Sequence, residues 1–509
     1  MKLRELIDAV RELLTEDESG YDKALLDTEI TDLISDSRVK LNAGSAFVCI
    51  EGLKNDGHDF AAEAERQGAK VIFAQKKVEL NGSAKLVLLE DTRKALSLLS
   101  AAWFGYPAEK LKTIGITGTK GKSTTSYMVR DILQAAGHKV GVIGTIGVYI
   151  GDRFYETNNT TPDPYLVQKY LREMVDSGCD VMVMEVSSQG LKQGRVYGLM
   201  FDYGALTNMG RDHLSPTEHA SFEEYMYCKS LLFKQCRTAV VNAQDEHTPD
   251  LLEGTECIRE GFASSIEYDH GNLLYTSVIT ADNICLFNAN GETGVMFNYR
   301  NYPETVKGTI KLLLPGRFNV MNALCAIAIC RHFTTDTEAI AEGLLKTFVS
   351  GRLESVKISD RFTILIDYAH NAMALESVLK TLKEYKPKRL VCLFGCGGDR
   401  SKDRRFEMGE VSSRMADLTV VTSDNPRTEK PEDIIADILV GVKKADGEYV
   451  MIVDRREAIR YVIENAKQGD VILLAGKGNE TYQEINGVKY HMDEREIIHD
   501  VVEALGGKV

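Results

Sequence analysis

The segment Lys112–Leu133, KTIGITGTKGKSTTSYMVRDIL, decides how the middle of the chain folds. A short apolar run typical of a strand leads into a glycine-rich turn, and a helical pattern follows. This order places backbone N–H groups and the positive end of a helix against an anion. In the turn, Lys122 can reach terminal phosphate oxygens, and Ser123 or Thr124 can offer a hydroxyl to Mg²⁺. The segment therefore predicts a phosphate-binding loop.

The composition is typical of a soluble globular protein. The length of 509 residues predicts about three domains. The net charge of −14 and the single Trp argue against binding to nucleic acid, which needs basic surface and stacking aromatics. No apolar run approaches the ~18 residues of a membrane span, so no membrane insertion is predicted. Ten scattered Cys without a CxxC pair predict reduced thiols and a cytoplasmic location.

Runs of strand and helix type divide the chain into predicted domains at residues 1–94, 95–350 and 351–509. Both larger domains alternate apolar strands with helices, a pattern that predicts parallel sheets covered on both faces. A β-rich stretch from about residue 255 to 312 predicts an antiparallel excursion. The predicted fold class is α/β. It comprises a small N-terminal α/β domain, a central P-loop-type parallel sheet domain and a C-terminal Rossmann-like domain.

A buried strand, VMVME, delivers Glu185 at its carboxyl end. Ligands of an open parallel sheet bind at that end. A carboxylate beside a phosphate loop can hold Mg²⁺ directly or through water. The alternative is a strand-end Glu that faces solvent, which the neighbouring loop makes less favoured.

The loop departs from the usual phosphate-loop spacing, because Ile116 stands five residues before Gly121. A fortuitous glycine-rich turn is the alternative. The variant TGTKGKS instead resembles the ATP loop of the Mur ligase family and of the related folylpolyglutamate synthetases. This resemblance implies that ATP is bound by Gly118, Thr119, Lys120, Gly121, Lys122, Ser123 and Thr124.

The string NMGRDHL…YMYCKSLLF resembles the Mur ligase run NxxxDHL…YxxxKxxLF. The resemblance implies that Lys229 is carbamylated and helps to hold a second Mg²⁺. His213 is implied to be a ligand or close neighbour of that ion, and Ser123 and Glu185 complete the metal set. The catalytic residues implied are Lys122, His213 and Lys229.

Three further strings match the family: GRFNVMNALCAIA, GRLESV and ILIDYAHNAMAL. Asn322 resembles the residue that faces adenine, and Arg352 resembles the Arg that reaches the ATP phosphates. Asp367 ends a strand, where a carboxylate can accept hydrogen bonds from a ribose. The chain has Ala372 after Asn371, where the family often has Pro.

The N-terminal string SDSRVKLNAGSAF resembles the part of MurE-type and MurF-type members that binds the uridine nucleotide. NNTTPDP and EVSSQGLKQGR favour the MurE type, although Gln189 replaces its usual His. The resemblance implies that the UDP-N-acetylmuramoyl-dipeptide is bound by Ser35, Ser37, Arg38, Asn159, Thr160, Thr161, Ser187, Gln193 and Arg195.

The string TSDNPRTEKP resembles enzymes that add meso-diaminopimelate, whereas lysine-adding relatives usually have a neutral residue in place of Arg427. The second carboxylate of diaminopimelate can pair bidentately with a fixed Arg. AGKGNETYQ departs from the diaminopimelate pattern GKGHE, because Asn479 replaces its His. The amino-acid residues implied are Arg400, Asp424, Asn425, Pro426, Arg427, Gly476 and Glu480.

The resemblance covers nearly the whole chain and implies a three-domain, ATP-dependent amide ligase of peptidoglycan precursor synthesis. It would add meso-diaminopimelate to UDP-N-acetylmuramoyl-L-alanyl-D-glutamate through an acyl phosphate, using two Mg²⁺ ions. A monomer is expected, with only small-molecule partners. The alternatives are the same reaction with lysine or ornithine, a nucleotide-binding switch or transport ATPase, and an inactive scaffold.

Overall fold

The structure is a computed structural model that describes residues 1–15, 23–52, 55–212, 215, 218–264, 274–303 and 305–506. The chain divides into two compact units. The first comprises Met1–Lys122, Gly137–Glu260 and Leu274–Thr276, and the second comprises Ser123–Ala136, Gly261–Leu273 and Ser277–Val509. The predicted domain boundaries after residues 94 and 350 stay predictions. No helix in the described ranges is long and apolar enough to cross a membrane.

A four-stranded parallel sheet opens the first unit, in the order β1-β2-β3-β4. Successive residues of a strand point to opposite faces. Accordingly, Val48 and Phe73 pack in one apolar cluster, while Phe47 and Ile72 pack in another. The elements are α1 (Leu3–Ala9), α2 (Lys23–Leu26), β1 (Leu33–Ile34), β2 (Ala46–Val48), α3 (Ala61–Arg66), β3 (Val71–Ala74), β4 (Lys85–Leu88) and α4 (Thr92–Trp103).

Most of the remaining elements of the first unit form a larger sheet, whose strand β12 belongs to this unit only up to Glu260. Its elements are β5 (Lys112–Thr117), β6 (Val140–Ile143), β7 (Val148–Ile150), β8 (Arg153–Tyr155), α6 (Pro164–Asp176), β9 (Val181–Glu185), α7 (Ser188–Lys192), β10 (Phe201–Leu206), α8 (Phe222–Ser230), β11 (Cys236–Asn242), α9 (Thr248–Leu251) and β12 (Ile258–Ala263). The strand order is β12-β11-β10-β5-β9-β6-β7-β8. The pairs from β11 to β6 are parallel, as predicted, whereas β7 and β8 form an unpredicted antiparallel edge.

The strand register brings three chain segments to one edge of this sheet. Ile116 of β5 pairs with Glu185 of β9, and Thr117 pairs with Leu206 of β10. Because the strands are parallel, the loop after β5, the end of β9 and the residues after β10 emerge side by side. The register therefore assembles the predicted site from residues distant in sequence.

The second unit starts with α5 (Lys122–Ala135) from Ser123 onward and contains a three-stranded antiparallel meander and a six-stranded sheet. The meander confirms the predicted antiparallel excursion. Its elements are β13 (Ser277–Ala289), β14 (Glu292–Tyr302) and β15 (Lys307–Leu312), followed by α10 (Phe318–Cys330) and α11 (Thr337–Lys346).

The six-stranded sheet has the order β16-β17-β21-β18-β19-β20, parallel except for β16. Apolar clusters cover both of its faces, so the α/β prediction is confirmed here as well. The elements are β16 (Glu354–Val356), β17 (Thr363–Asp367), α12 (Ala372–Lys383), β18 (Arg389–Phe394), α13 (Lys402–Met415), β19 (Leu418–Val421), α14 (Pro431–Ala445), β20 (Tyr449–Met451), α15 (Arg455–Glu464), β21 (Asp470–Ala475), β22 (Tyr482–Ile485), β23 (Val488–His491) and α16 (Glu494–Ala504).

Candidate active site

The loop after β5 is held in shape by the residues that follow β10. Gly118 has φ +146°, and a Cβ there would lie 1.9 Å from Thr207 Oγ1, so only glycine fits. The Thr207 hydroxyl donates to the carbonyl of Lys120 at 2.6 Å. Asn208 accepts from the Lys120 N–H and donates to its carbonyl, both at 3.0 Å. These contacts fix the loop in place, and the supporting roles of Thr207 and Asn208 were not predicted.

The two lysines of the loop differ in their surroundings. Lys122 Nζ donates to the carbonyls of Gly118 and Thr119, at 2.9 and 3.3 Å. Its ammonium therefore lies against the loop, where a bound phosphate would meet it. Lys120 points outward and pairs with Asp212 at 2.8 Å, with 79% of its side chain exposed. An ion pair this exposed contributes little to stability.

Lys229 is buried directly beneath the loop. Its Nζ donates to the Gly118 carbonyl at 2.9 Å and to Thr117 Oγ1 at 3.3 Å. It also lies 4.7 Å from the ring centre of Tyr225. Burial, and secondly the charge of Lys122, hold the pKa of Lys229 well below its ordinary value. Burial thus favours the neutral amine of Lys229 over its ammonium form.

Glu185 presents a fully buried carboxylate at the end of β9. Its Oε1 accepts from the N–H of Thr145 at 3.0 Å, and its Oε2 accepts from the Thr145 hydroxyl at 3.1 Å. A Cβ on Gly144 would lie 2.2 Å from Oε1, so glycine makes room for the carboxylate. Mg²⁺ prefers oxygen ligands such as carboxylates, so Glu185 is suited to bind this ion.

Four of the predicted dipeptide-binding residues form one hydrogen-bonded cluster next to Glu185. Thr161 Oγ1 donates to the Glu185 carbonyl and accepts from the Ser187 N–H, both at 2.9 Å. Arg195 donates to the Thr161 carbonyl at 2.6 Å and to Gln193 Oε1 at 2.8 Å. The cluster fixes the Arg195 guanidinium, whose pKa is lowered by burial.

The other predicted dipeptide residues lie elsewhere in the first unit. The Thr160 hydroxyl lies 3.0 Å from that of Thr145, and Asn159 is exposed. Ser35 and Ser37 are half-buried after β1. Arg38 is exposed and binds both carboxylate oxygens of the neighbouring Asp36, at 2.7 and 2.8 Å.

His213, the predicted metal ligand, lies outside the described residues. Another histidine that was not predicted, His219, is buried, and its Nε2 lies 2.9 Å from Ser188 Oγ. Its other neighbours include Glu224 and Cys228, whose ligand atoms lie within 4.8 Å of those of His219 and of each other. The Glu224 carboxylate already pairs with Lys192 at 2.7 Å. Tyr225 was also missed, and its hydroxyl lies 3.2 Å from Thr119 Oγ1.

The remaining predicted ATP residues belong to the second unit. Ser123 and Thr124 lie in the first turn of α5. Asn322 is buried on α10 and donates to Asn319 Oδ1 at 2.9 Å. Both carboxylate oxygens of Asp367 accept backbone N–H groups at 2.8 Å, and burial raises its pKa. The Arg352 guanidinium lies 5.5 Å from the centre of the adjacent Tyr368 ring.

The predicted amino-acid site contains a fixed guanidinium. Arg427 has φ +52°, and its Nε donates to Glu484 Oε2 at 3.1 Å. Its NH1 donates to the Gly398 carbonyl at 2.8 Å. Two contacts from different elements hold this side chain in one orientation, and Glu484 was not predicted. Arg400, by contrast, is exposed.

A second part of this site surrounds a fully buried lysine that sequence reasoning missed. Lys477 Nζ donates to Asn425 Oδ1 at 3.0 Å and to Glu480 Oε2 at 3.1 Å. The charge of Glu480 is thus already paired. The Oδ2 of Asp424 is buried and accepts no hydrogen bond from the described residues, with Arg455 NH1 4.0 Å away. Asp424 therefore offers an oxygen that an ammonium group could satisfy.

Comparison with known proteins identifies the family. The profile of the Mur ligase middle domain matches residues 116–330, and that of the Mur ligase glutamate ligase domain matches 351–478. The profile of the Mur ligase family catalytic domain matches residues 32–103. UDP-N-acetylmuramoyl-L-alanyl-D-glutamate--2,6-diaminopimelate ligase 1 of Clostridium acetobutylicum is 40% identical over 99% of this chain and 100% of its own. The ligase of the same name from Bacillus cereus is 39% identical over 93% and 94%.

Solved structures agree with these matches. A structure of UDP-N-acetylmuramoyl-L-alanyl-D-glutamate--2,6-diaminopimelate ligase has a TM-score of 0.74 and 28% identity, covering 99% of both chains. The MurF ligase of Thermotoga maritima in complex with ADP has a TM-score of 0.54 and 19% identity over 93% of this chain and 97% of its own, and shows the fold alone. Because the matches extend over the full length of relatives about 40% identical, the chain belongs to the Mur ligase family.

Proposed function

We propose that this chain is an ATP-dependent ligase that joins meso-diaminopimelate to the D-glutamate of UDP-N-acetylmuramoyl-L-alanyl-D-glutamate, in peptidoglycan precursor synthesis. One observation carries the proposal. The buried Lys229 amine donates a hydrogen bond to the Gly118 carbonyl, at the same sheet edge as the buried Glu185. A nucleotide-binding switch or a transport ATPase does not require a buried lysine and a buried glutamate at this sheet edge. Relatives that carry the ligase name match along the whole chain.

The reaction needs ATP because a carboxylate does not acylate an amine at neutral pH. In the proposed reaction, the γ-carboxylate of the D-glutamate attacks the γ-phosphoryl group of ATP, and ADP leaves. The neutral amine of diaminopimelate then attacks the acyl carbon of the acyl phosphate, inorganic phosphate leaves with its bonding electron pair, and the nitrogen gives up one proton to solvent. Lys122 neutralises charge on the transferring group, a preorganised electrostatic effect.

Magnesium would be held by Glu185 and by Lys229 in its carbamylated form, and it would supply positive charge at the phosphoryl oxygens. Thr145 binds both Glu185 oxygens and so fixes the orientation of the carboxylate. The proposal includes two Mg²⁺ ions, with Ser123 and His213 as further metal ligands.

Carbamylation is the chemistry that the surroundings of Lys229 favour. The neutral amine attacks the carbon of CO₂, loses one proton to solvent and becomes an anionic carbamate. A carbamate so placed would face Lys122, whose charge contributes to the lowered pKa of the free amine. Carbon-13 NMR of the protein in labelled bicarbonate should reveal one carbamate signal that Lys229→Met lacks. A spectrum identical in both proteins would contradict this step.

The choice of amino acid rests on Arg427. Its guanidinium is fixed by Glu484 and Gly398, and a fixed fork suits the second carboxylate of diaminopimelate. The buried Asp424 oxygen suits its ammonium group. Lysine and ornithine, the substrates of the competing proposal, have no second carboxylate that the Arg427 guanidinium could bind.

The uridine nucleotide and its dipeptide are proposed to bind along the first unit. The candidates are the half-buried Ser35 and Ser37, the exposed Arg38 and the cluster around Thr161. The Arg195 guanidinium at this cluster is suited to an acidic peptide.

The decisive experiment measures ADP release with each substrate omitted in turn. We expect release to require both the nucleotide-linked dipeptide and an amino acid. Equal ATP turnover in the absence of both would refute the ligase assignment. Competition between diaminopimelate, lysine and ornithine in one reaction then tests the amino acid separately, since any of the three outcomes preserves ligase activity.

A further inference from the structure

A fully buried arginine in the second unit contacts the backbone next to the amino-acid site, and the proposed reaction does not use it. Arg455 is the first residue of α15, and its side chain is 0% exposed. Its NH2 donates to the carbonyl of Ala475 at 2.9 Å, and its NH1 donates to the carbonyl of Ser423 at 3.3 Å. Ser423 directly precedes Asp424, and Ala475 directly precedes Gly476. One guanidinium therefore joins two chain segments that carry predicted amino-acid residues.

The two segments are the loop 422–427, which follows β19, and the loop 476–481, which follows β21. In the six-stranded sheet, β18 lies between β19 and β21 and pairs with both. Two strand spacings place the ends of β19 and β21 about 10 Å apart. Arg455 spans this gap, so it connects the two loops more directly than the strand pairing does.

The loops also contact each other through residues of the site itself. Asn425 Nδ2 donates to Glu480 Oε2 at 2.8 Å. Lys477 Nζ donates to Asn425 Oδ1 and to Glu480 Oε2, at 3.0 and 3.1 Å. These bonds join one residue of the first loop to two residues of the second, and hydrogen bonds weaken steeply when their geometry changes. The site therefore depends on the distance between the two loops.

A second buried residue fixes the guanidinium. Both Nε and NH2 of Arg455 lie 2.8 Å from Oε1 of Glu494, the first residue of α16, whose side chain is also 0% exposed. A buried ion pair is often no more stabilising than apolar residues of similar volume, because both groups lose their hydration. The pair therefore contributes a fixed orientation of the guanidinium rather than much stability.

We propose that Arg455, fixed by Glu494, is a positioning residue of the amino-acid site that sets the distance between the loops 422–427 and 476–481. The inference rests on the proposed function, in which these loops bind the incoming amino acid. Arg455 touches no substrate in this role and acts through the residues of the two loops. Its loss should therefore weaken binding of the amino acid and leave binding of ATP and of the nucleotide-linked dipeptide unchanged.

The first test compares Arg455→Lys with the wild-type full-length chain. Lysine keeps the positive charge, but its single nitrogen replaces a planar fork and cannot hold all three partners of the guanidinium. We expect the KM for the amino acid to rise by about 10-fold, the effect of one lost charge-assisted hydrogen bond. The KM values for ATP and for the dipeptide should not change. Hydrogen exchange, followed by mass spectrometry, should accelerate in peptides that cover the two loops.

Glu494→Gln is the second variant. Glutamine keeps an acceptor for Arg455 but removes the charge, and a hydrogen bond without that charge is about half as strong. The same KM should rise by a smaller factor than in Arg455→Lys. Asp470→Asn is the matched control, because Asp470 is buried, pairs with Arg389 at 2.5 Å and begins β21 at the opposite end from the loop. It should lower the free energy of unfolding without changing the KM or the exchange of the loops.

Three outcomes would overturn the proposal: an unchanged amino-acid KM in folded Arg455→Lys, an equal rise in all three KM values, or the same effect from Asp470→Asn. If Arg455→Lys does not fold, Glu494→Gln decides between the same outcomes. Failure of the proposed function has a different signature. A wild-type chain that releases no ADP with diaminopimelate, lysine or ornithine would refute the ligase assignment, and loop exchange in the variants would still decide the positioning role.

Discussion

Gly144→Ala is a steric test of the Glu185 site. The added Cβ would lie 2.2 Å from Glu185 Oε1 and 2.8 Å from its Cδ. Gly144 is not among the residues with positive φ, so the backbone accepts alanine and the clash is the whole perturbation. The carboxylate has little freedom to move aside, because it is fully buried and both oxygens are bound by Thr145.

The clash sets the size of the expected effect. Nonbonded heavy atoms are most stable at about 3.5 Å, so the carboxylate must shift by about 1 Å. A misplacement of that size costs about 10²-fold in rate, or about 2.7 kcal/mol. Overpacking a buried position should also lower the free energy of unfolding by about 1–3 kcal/mol.

The assay is ADP release at saturating substrates over a series of Mg²⁺ concentrations. We expect Gly144→Ala to reduce kcat and to need more Mg²⁺. Gly210→Ala is the matched control, since a Cβ there meets no atom within 4 Å, and it should behave as wild type. If folded Gly144→Ala keeps the wild-type kcat and Mg²⁺ dependence, the position of Glu185 does not matter and the metal assignment fails.

Three other changes test separate parts of the structure. In amino-acid titrations, Arg427→Ala should raise the KM for diaminopimelate by about 10–10²-fold. This factor corresponds to the loss of one charge-assisted hydrogen bond. An unaltered KM would refute the role of Arg427 in selectivity. The ion pair with Arg405 holds the pKa of Glu429 at about 2, so the ionised Glu429 stabilises the fold above about pH 4.5, and this stabilisation is lost as the pH falls towards 2. In urea unfolding, Glu429→Gln should therefore have a lower free energy of unfolding than wild type at neutral pH and the same value in acid. A difference that does not change with pH would contradict this. Tyr225→Phe removes the contact with Thr119 and should weaken ATP binding by about 1 kcal/mol in calorimetric titrations, whereas unchanged affinity would leave Tyr225 a packing residue only.

The sequence was informative wherever one local pattern determines one element. The apolar runs that predicted strands correspond to β5, β9, β10, β18 and β21, and the order strand, turn, helix at Lys112–Leu133 is observed. Glu185 is the last residue of β9, and it lies beside the end of β5 because a parallel sheet brings the carboxyl ends of its strands to one edge. The association of Lys229 with the loop came from the family pattern and not from periodicity, which says nothing about contacts 111 residues apart.

What the sequence did not predict depends on contacts between distant residues or on very short strands. The antiparallel strands β7, β8 and β16 have three residues each, too few for an alternating pattern to be recognised. Lys477 was not singled out from the sequence, yet it is fully buried, and Asn425 and Glu480 pair with its amine. Thr207 supports the loop only because β10 runs beside β5.

Lys122 of the loop and Lys229 beneath it both donate to the Gly118 carbonyl at 2.9 Å, so their amines lie close together. Two like charges beneath one phosphate loop would repel, and the buried one would also lose its hydration. The lowered pKa of Lys229 favours its neutral form, and the hydrogen bonds to Gly118 and Thr117 offset part of the cost of burying the amine. The proposed carbamate would go further, because it would replace repulsion from Lys122 by attraction and would add two oxygen ligands at the sheet edge of Glu185. The same burial that destabilises the ammonium would thus favour the proposed modification, so that Lys122, Lys229 and the proposed metal would depend on one electrostatic arrangement.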